Sequence, residues 1–280
     1  MTINLDMNAL TQIAIAAGEA ILKIYGEAID VSEKGDGSPV TQADTAAEAI
    51  ILKGLADLSP DIAVVAEESV AAGCVPPPSA RFFLVDPLDG TREFISKNGE
   101  FTVNIGLVED GVPVAGVVYA PALGDIFWGS KGEGARRAKV VEGKCGPGPA
   151  EEISVRMAPK EGLTVLASRS HMSAETSDFA ETLSVAELIS AGSSLKFCRV
   201  AEGGADLYPR FGRMMEWDTA AADAVLRAAG GLVITTDGAP LSYGKRNLPH
   251  DSDFANPYFI AVGDREIVSS LQCPTVEGAL

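Results

Sequence analysis

The stretch DPLDGTREF, residues 86–94, directly follows the apolar run RFFLV. Such a run predicts a buried strand, and the proline predicts that the strand breaks. Asp86 and Asp89 bracket the Pro-Leu pair, so a sharp turn would direct both carboxylates to one place. The N–H groups of Gly90 and Thr91 can begin a helix that faces an anion. The stretch predicts a turn where metal and phosphate meet, although Pro, Asp and Gly also dominate tight turns without ligands.

Further acids stand at the ends of other predicted elements. Glu67 and Glu68 follow the apolar run DIAVVA, Asp44 lies in the first turn of a predicted helix, and Asp218 precedes another helix. Each acid alone is better explained as a helix cap or a solvated strand end. Several oxygen ligands from separate segments are, however, what Mg²⁺ requires. We therefore expect these acids to converge on the DPLDG turn.

Hydrophobic periodicity predicts a mixed α/β (α+β) protein. Helices are expected at 7–25, 41–58 (with a Thr41–Asp44 capping box) and 218–231. Strands are expected at 61–69, 81–87, 101–110, 111–121, 125–132, 164–171, 187–197, 206–212, 231–238 and 258–263. A loop-like segment at 142–152 suggests two domains. Residues 1–150 would carry two helices, an antiparallel sheet and most metal ligands, and residues 151–280 would carry Asp218 and the substrate-binding residues.

Composition argues against several classes of function. The formal charge of −17 disfavours a nucleic-acid polymer as partner, whereas bound Mg²⁺ would reverse the local field for a small phosphate ester. The four cysteines lack CxxC spacing, which argues against zinc and disulfide frameworks. The sequence shows no secretory signal or apolar span, so we expect a cytoplasmic protein. It leaves open a homodimer and weak attachment to the inner face of a membrane.

Three motifs together carry a family resemblance: EES at 67–69, DPLDGT at 86–91 and WD at 217–218. In order and spacing they resemble the signature of the inositol monophosphatase superfamily, and the likeness spans nearly the whole chain. The blocks KGDGSPVTQAD, NGEFTVNIGL, SRSH, GSSLKFCRVAEGGADLYPRFG and EWDTAA resemble its CysQ-type 3′(2′),5′-bisphosphate nucleotidase branch. One departure is Arg213-Met214-Met215, where that branch usually has Pro-Thr and a variable residue. The departure leaves fine specificity open.

The resemblance implies a layered αβαβα sandwich with two to three Mg²⁺ ions between its halves. Glu67, Asp86 and the backbone carbonyl of Leu88 would hold one ion. Asp86, Asp89 and Asp218 would hold a second, with Asp86 bridging the two. A third, weaker site would lie near Glu67.

The resemblance also implies a reaction, the removal of the 3′-phosphate from 3′-phosphoadenosine 5′-phosphate, a by-product of sulfate assimilation, to give AMP. Thr91 matches the threonine that orients the attacking water, and Asp44 matches the carboxylate that accepts its hydroxyl proton. Glu68 is a further candidate catalytic residue. The alternatives are another ester, such as inositol phosphate, histidinol phosphate or fructose 1,6-bisphosphate, and a non-catalytic sensor of nucleotide or metal.

Substrate contacts are expected from hydroxyl, cationic and backbone donors. The candidates are Gly90, Thr91, Ser168, His171, Ser193, Ser194, Lys196, Arg210 and Asp218. Lys196 and Arg210 could instead be ordinary surface cations, and a Ser-Ser pair is common in loops. For His171 a structural role is favoured over a catalytic one.

Overall fold

The computed structural model describes residues 5–27, 31–33, 39–141, 147–168 and 174–271. Its helices are α1 (Met7–Tyr25), α2 (Gln42–Leu58), α3 (Glu67–Ala71), α4 (Thr91–Ile95), α5 (Ala174–Glu181), α6 (Leu195–Ala201) and α7 (Ala220–Ala228), followed by a 3-10 helix at Arg265–Ser270. Its strands are β1 (Val31–Glu33), β2 (Pro39–Thr41), β3 (Ala63–Ala66), β4 (Arg81–Asp89), β5 (Thr102–Glu109), β6 (Val112–Ala120), β7 (Asp125–Ser130), β8 (Gly134–Lys139), β9 (Glu151–Ile153), β10 (Leu163–Ser168), β11 (Val185–Ala191), β12 (Leu207–Arg210), β13 (Leu232–Thr235) and β14 (Phe259–Val262).

The two N-terminal helices are confirmed. Asp6 caps α1 by accepting hydrogen bonds from the backbone N–H groups of Asn8 and Ala9. Thr41 caps α2, and the Asp44 side chain completes the predicted capping box. The start of α2, and with it the position of Asp44, is therefore fixed by local sequence.

The first sheet has seven strands in the order β3-β4-β5-β6-β7-β8-β9, and all pairs except β3 with β4 are antiparallel. The predicted meander is confirmed, but β8 and β9 were not predicted. The predicted break at Pro87 was wrong, because β4 continues to Asp89. Instead, the pairing with β5 shifts between Asp86 and Asp89, and this irregularity accommodates a proline that cannot donate to the ladder.

The second sheet has five strands in the order β11-β10-β12-β14-β13. Strand β10 is parallel to β11 and β12, whereas β14 is antiparallel to β12 and β13. The predicted strand at 187–197 was wrong in its second half, because β11 ends at Ala191 and α6 begins at Leu195. Leu195–Ala201 buries nearly all its residues between the sheets, an environment that the short segment itself does not reveal.

These elements form five layers, which confirms the αβαβα sandwich. Alternate residues of the first sheet face opposite sides: Phe83 and Val85 pack with α1 and α2, whereas Phe82 and Leu84 pack with α6 and α7. The far side of the second sheet packs against Phe179 of α5 and against the 3-10 helix.

Helix α7 lies very close to the first sheet. A Cβ added to Gly116 would stand 2.2 Å from the carbonyl oxygen of Ala221, so glycine is required at this contact.

Helix α7 comes from the C-terminal half of the chain, and β9 of the first sheet lies beyond residue 150. The division into domains 1–150 and 151–280 stays a prediction.

Candidate metal centre and substrate site

Three carboxylates from separate elements meet at one point. Glu67 is the first residue of α3, Asp86 lies in β4, and Asp218 precedes α7. Each offers one carboxylate oxygen, and these oxygens lie within 4.8 Å of one another. Asp86 is buried, while Glu67 and Asp218 are partly buried. Hard oxygen ligands at this separation suit a divalent cation such as Mg²⁺.

The electrostatics of this cluster favour a cation. Burial raises the pKa of Asp218 well above its usual range, and repulsion from Asp89 and Glu67 raises this pKa further. Two hydrogen bonds of the Asp218 carboxylate oppose this rise only in part. Its Oδ2 accepts one from the Met215 N–H at 3.0 Å, and the other is made with the Asp86 side chain. The concentrated negative charge therefore opposes folding unless a proton or a cation neutralises it.

Asp89 is held beside the cluster by donors from the second half of the chain. Its Oδ2 accepts hydrogen bonds from the Ser193 hydroxyl at 2.6 Å and from the Ser194 N–H and hydroxyl at 2.7 and 2.8 Å. The Asn104 amide lies 3.4 Å from the same oxygen. Oδ1 is then the oxygen through which Asp89 would reach a cation.

The two serines are buried behind Asp89. Ser194 is fully buried, and its hydroxyl also lies 2.6 Å from the carbonyl oxygen of Asp218. Ser193 has a positive φ of 53° and also contacts the Thr102 hydroxyl at 2.5 Å. Both residues thus position a predicted metal ligand, and their predicted contact with substrate remains a prediction.

Lys196 is not the surface cation that the sequence left as an alternative. Its side chain is buried, and Nζ donates to the carbonyl oxygens of Ser193 at 2.7 Å and Ala191 at 3.3 Å. Burial lowers the pKa of Lys196 to about 8, and the nearby Asp89 opposes this shift. The ammonium group is therefore charged at neutral pH and loses its charge in the mildly alkaline range.

Arg210 ends β12 on the same side of the second sheet. One of its terminal nitrogens donates to the Arg213 carbonyl at 3.2 Å. Its buried Nε and the buried hydroxyl of Tyr208 have no hydrogen-bond partner among the described residues. Buried donors of this kind can be satisfied by an anion. Tyr208 was not among the predicted site residues, because an aromatic residue in a strand is usually explained by packing.

The Thr91–Asp44 pair is also formed. The Thr91 hydroxyl lies 3.3 Å from Oδ1 of Asp44 and 3.4 Å from the Leu88 carbonyl oxygen. Gly90 precedes α4 with a φ of 92°, which glycine adopts without strain. The Leu88 N–H donates to Oδ1 of Asp86 at 2.9 Å, so the DPLDG turn orders its own ligands.

Three other predicted site residues remain: Glu68, Ser168 and His171. Glu68 is not among the three clustered carboxylates, and its backbone N–H donates to Glu48. Ser168 is the last residue of β10, and its side chain and His171 lie outside the described part of the structure. Glu48 was missed, although its position four residues after Asp44 on one helix is a usable signal.

Within the described residues, no helix is both long and apolar enough to cross a membrane.

Comparisons with known proteins find relatives that match this chain over most of its length. The model of the inositol monophosphatase family matches residues 6–261. The chain is 46% identical over 255 residues to the 3′(2′),5′-bisphosphate nucleotidase CysQ of Escherichia coli O157:H7, covering 90% of this chain and 98% of that protein. The Salmonella typhimurium protein of the same name is also 46% identical, with the same coverage. A crystal structure of CysQ from Bacteroides thetaiotaomicron has a TM-score of 0.76 and 38% identity, covering 94% of this chain and 99% of that one.

Proposed function

This protein belongs to the inositol monophosphatase family, and from that membership we propose that it is a Mg²⁺-dependent 3′(2′),5′-bisphosphate nucleotidase. The proposed reaction converts 3′-phosphoadenosine 5′-phosphate into AMP and phosphate. One structural observation carries the proposal: the carboxylates of Glu67, Asp86 and Asp218 converge within 4.8 Å. The similarity to CysQ proteins over nearly their full length supports the choice of substrate.

The donor set fits Mg²⁺. Glu67, Asp86 and Asp218 would hold the metal, with Asp89 and the Leu88 carbonyl oxygen as further ligands for two to three ions. When bound, Mg²⁺ neutralises phosphoryl charge and makes water a stronger nucleophile at neutral pH.

Thr91 and Asp44 would orient the attacking water. Oδ1 of Asp44 accepts a hydrogen bond from the Thr91 hydroxyl, so the Thr91 oxygen would in turn accept a hydrogen bond from the attacking water. Oδ2 of Asp44 is held by the N–H and hydroxyl of Thr41 at 2.8 and 2.7 Å. The carboxylate therefore cannot rotate away, and the pair is preorganised for proton transfer.

Lys196 and Arg210 would recognise the second phosphate of the substrate. Lys196 supplies a buried positive charge, and Arg210 supplies a buried Nε without a partner among the described residues. A bisphosphate satisfies both groups, whereas a monophosphate held at the metal ions leaves them without an anion. We accordingly propose that the pair selects a nucleotide bisphosphate over inositol phosphate.

A parallel turnover assay tests this function. Phosphate release is measured from 3′-phosphoadenosine 5′-phosphate and from inositol 1-phosphate, each with and without Mg²⁺. We expect Mg²⁺-dependent release with a much larger kcat/KM for the nucleotide. A preference for inositol 1-phosphate would make the protein an inositol monophosphatase, and nucleotide binding without any release would make it a sensor.

A cytoplasmic location, a homodimer and weak attachment to a membrane surface stay predictions.

A further inference from the structure

Helix α3 begins at the metal ligand Glu67 without a cap of its own. The residue before it, Ala66, has no side chain that can accept a hydrogen bond. The first N–H groups of a helix need acceptors from elsewhere. Here the acceptor is Glu48 of α2, whose Oε2 lies 2.9 Å from the N–H of Glu68.

Glu48 holds the same turn through its second oxygen. Oε1 accepts a hydrogen bond from the Ser69 hydroxyl at 2.6 Å. A carboxylate that contacts two successive residues restrains both the position and the rotation of the turn. Glu48 is only 6% exposed, and a carboxylate is buried at such a site only when hydrogen bonds compensate its lost hydration.

The same face of α2 also carries Asp44. Residues four apart on a helix lie on one face, so Asp44 and Glu48 point in the same direction one turn apart. Asp44 contacts Thr91, while Glu48 contacts the turn of Glu67. One rigid helix therefore sets the spacing between the water-orienting pair and a metal ligand.

We infer that Glu48 is a positioning residue. It fixes the first turn of α3 so that the carboxylate of Glu67 faces Asp86 and Asp218. The inference rests on the proposed Mg²⁺ site and deepens it. Glu48 could in principle act on a cation in another way, through its negative charge alone. Geometry and charge are separable by substitution.

Calorimetric titration of the metal-stripped full-length protein with Mg²⁺ tests the inference without any substrate. Glu48→Asp keeps the charge but shortens the side chain, whereas Glu48→Gln keeps the length but loses one acceptor. We expect both variants to bind Mg²⁺ about tenfold more weakly than the native protein, as is usual when residues that orient metal ligands are changed. Ser69→Ala removes one contact and should weaken binding about threefold.

Native-like Mg²⁺ affinity in Glu48→Asp would overturn the inference, because charge alone would then account for any loss in Glu48→Gln. If the native protein itself bound no Mg²⁺, the proposed function would fail instead. Ser69→Ala is a mild substitution and keeps the test decisive if the Glu48 variants unfold: in that case native affinity in Ser69→Ala contradicts the inference.

Asp264→Asn provides the matched control. The two carboxylate oxygens of Asp264 accept hydrogen bonds from the backbone N–H groups of Ala158 at 2.9 Å and Glu266 at 3.0 Å, in a part of the fold remote in sequence from the carboxylate cluster. We expect Asp264→Asn to lose about as much thermal stability in EDTA as Glu48→Gln does, but to keep the native affinity for Mg²⁺. With saturating Mg²⁺, Ser69→Ala should lower kcat per folded enzyme molecule while KM stays within about twofold, whereas Asp264→Asn should leave both constants at their native values.

Discussion

The hydroxyl of Thr91 lies 3.3 Å from Oδ1 of Asp44, although the two residues are 47 positions apart in the chain. Asp44 is also the residue that completes the capping box of α2 with Thr41. The hydrogen bonds that begin this helix therefore also fix the carboxylate that faces Thr91. A local folding signal and the contact of the proposed water-orienting pair therefore share the Asp44 side chain.

Removal of the Thr91 hydroxyl should slow the chemical step. Without that hydroxyl, the attacking water loses its acceptor, while the groups that bind substrate remain. We expect Thr91→Ala to lower kcat roughly 100-fold with little change in KM, and Thr91→Ser to retain most activity. Steady-state kinetics at saturating Mg²⁺ would measure both. A raised KM with native kcat would instead place Thr91 in substrate binding.

Substrate affinity should weaken at alkaline pH because of Lys196. Its pKa is lowered to about 8 by burial, so the group is charged below that pH and neutral above it. The KM for the nucleotide should therefore stay low up to pH 8 and rise up to about tenfold by pH 9. The control variant Lys196→Gln should show a high KM without this inflection. A native KM that is flat from pH 7 to 9 would contradict a titration of Lys196 that controls substrate affinity, and a native KM in Lys196→Gln would exclude Lys196 from substrate binding.

Without divalent cations, Asp218 should destabilise the protein at neutral pH. The pKa of Asp218 is higher in the folded state than in the unfolded state, so the folded protein holds this proton more tightly. The folded state is therefore favoured at low pH, and this stability is lost as pH rises through the raised pKa. Asp218→Asn should thus raise Tm in EDTA by roughly 2–4 °C for each 1 kcal/mol of repulsion removed. In Mg²⁺ this advantage should disappear, because the native carboxylate gains a ligand. A lower Tm in EDTA would contradict the repulsion.

Gly116→Ala should destabilise the fold and impair the site. The added Cβ would stand 2.2 Å from the Ala221 carbonyl oxygen, so α7 would have to move away from the sheet. We expect a loss of about 2 kcal/mol in urea unfolding, together with weaker Mg²⁺ binding, because Asp218 directly precedes this helix. Gly26→Ala is the control, since its nearest atom to an added Cβ is 3.6 Å away and its φ is −76°. Equal losses in both variants would argue against this contact.

Local chemistry explains which features could be predicted from the sequence. The α1 and α2 helices have strong periodicity and caps formed by adjacent residues, and the meander alternates with glycine turns. The α6 helix could not be predicted, because Leu195–Ala201 is short and is buried on nearly all sides between two sheets, an environment that its own sequence does not show. The continuation of β4 past Pro87 likewise depends on a register shift with β5 that one strand alone does not show.

Within the candidate site, the acids were predictable and their supports were not. Asp86 and Asp218 stand in distinctive motifs, whereas Glu48 and Asn104 lie inside regular elements where polar residues are common. Their partners lie far away in sequence: the Asn104 amide contacts the Ser194 hydroxyl at 2.9 Å, 90 residues further along the chain. Burial also excludes one alternative that the sequence left open, because Lys196 lies inside the protein and is not an ordinary surface cation.

A crystal structure of the protein soaked with Mn²⁺, with anomalous diffraction recorded, tests the convergence of the carboxylates most directly. Mn²⁺ accepts the same oxygen ligands as Mg²⁺ and can be located independently of the protein atoms. We predict an anomalous peak coordinated by Glu67, Asp86 and Asp218. Absence of a peak at saturating Mn²⁺, or a peak bound elsewhere while the three carboxylates point apart, would contradict the account.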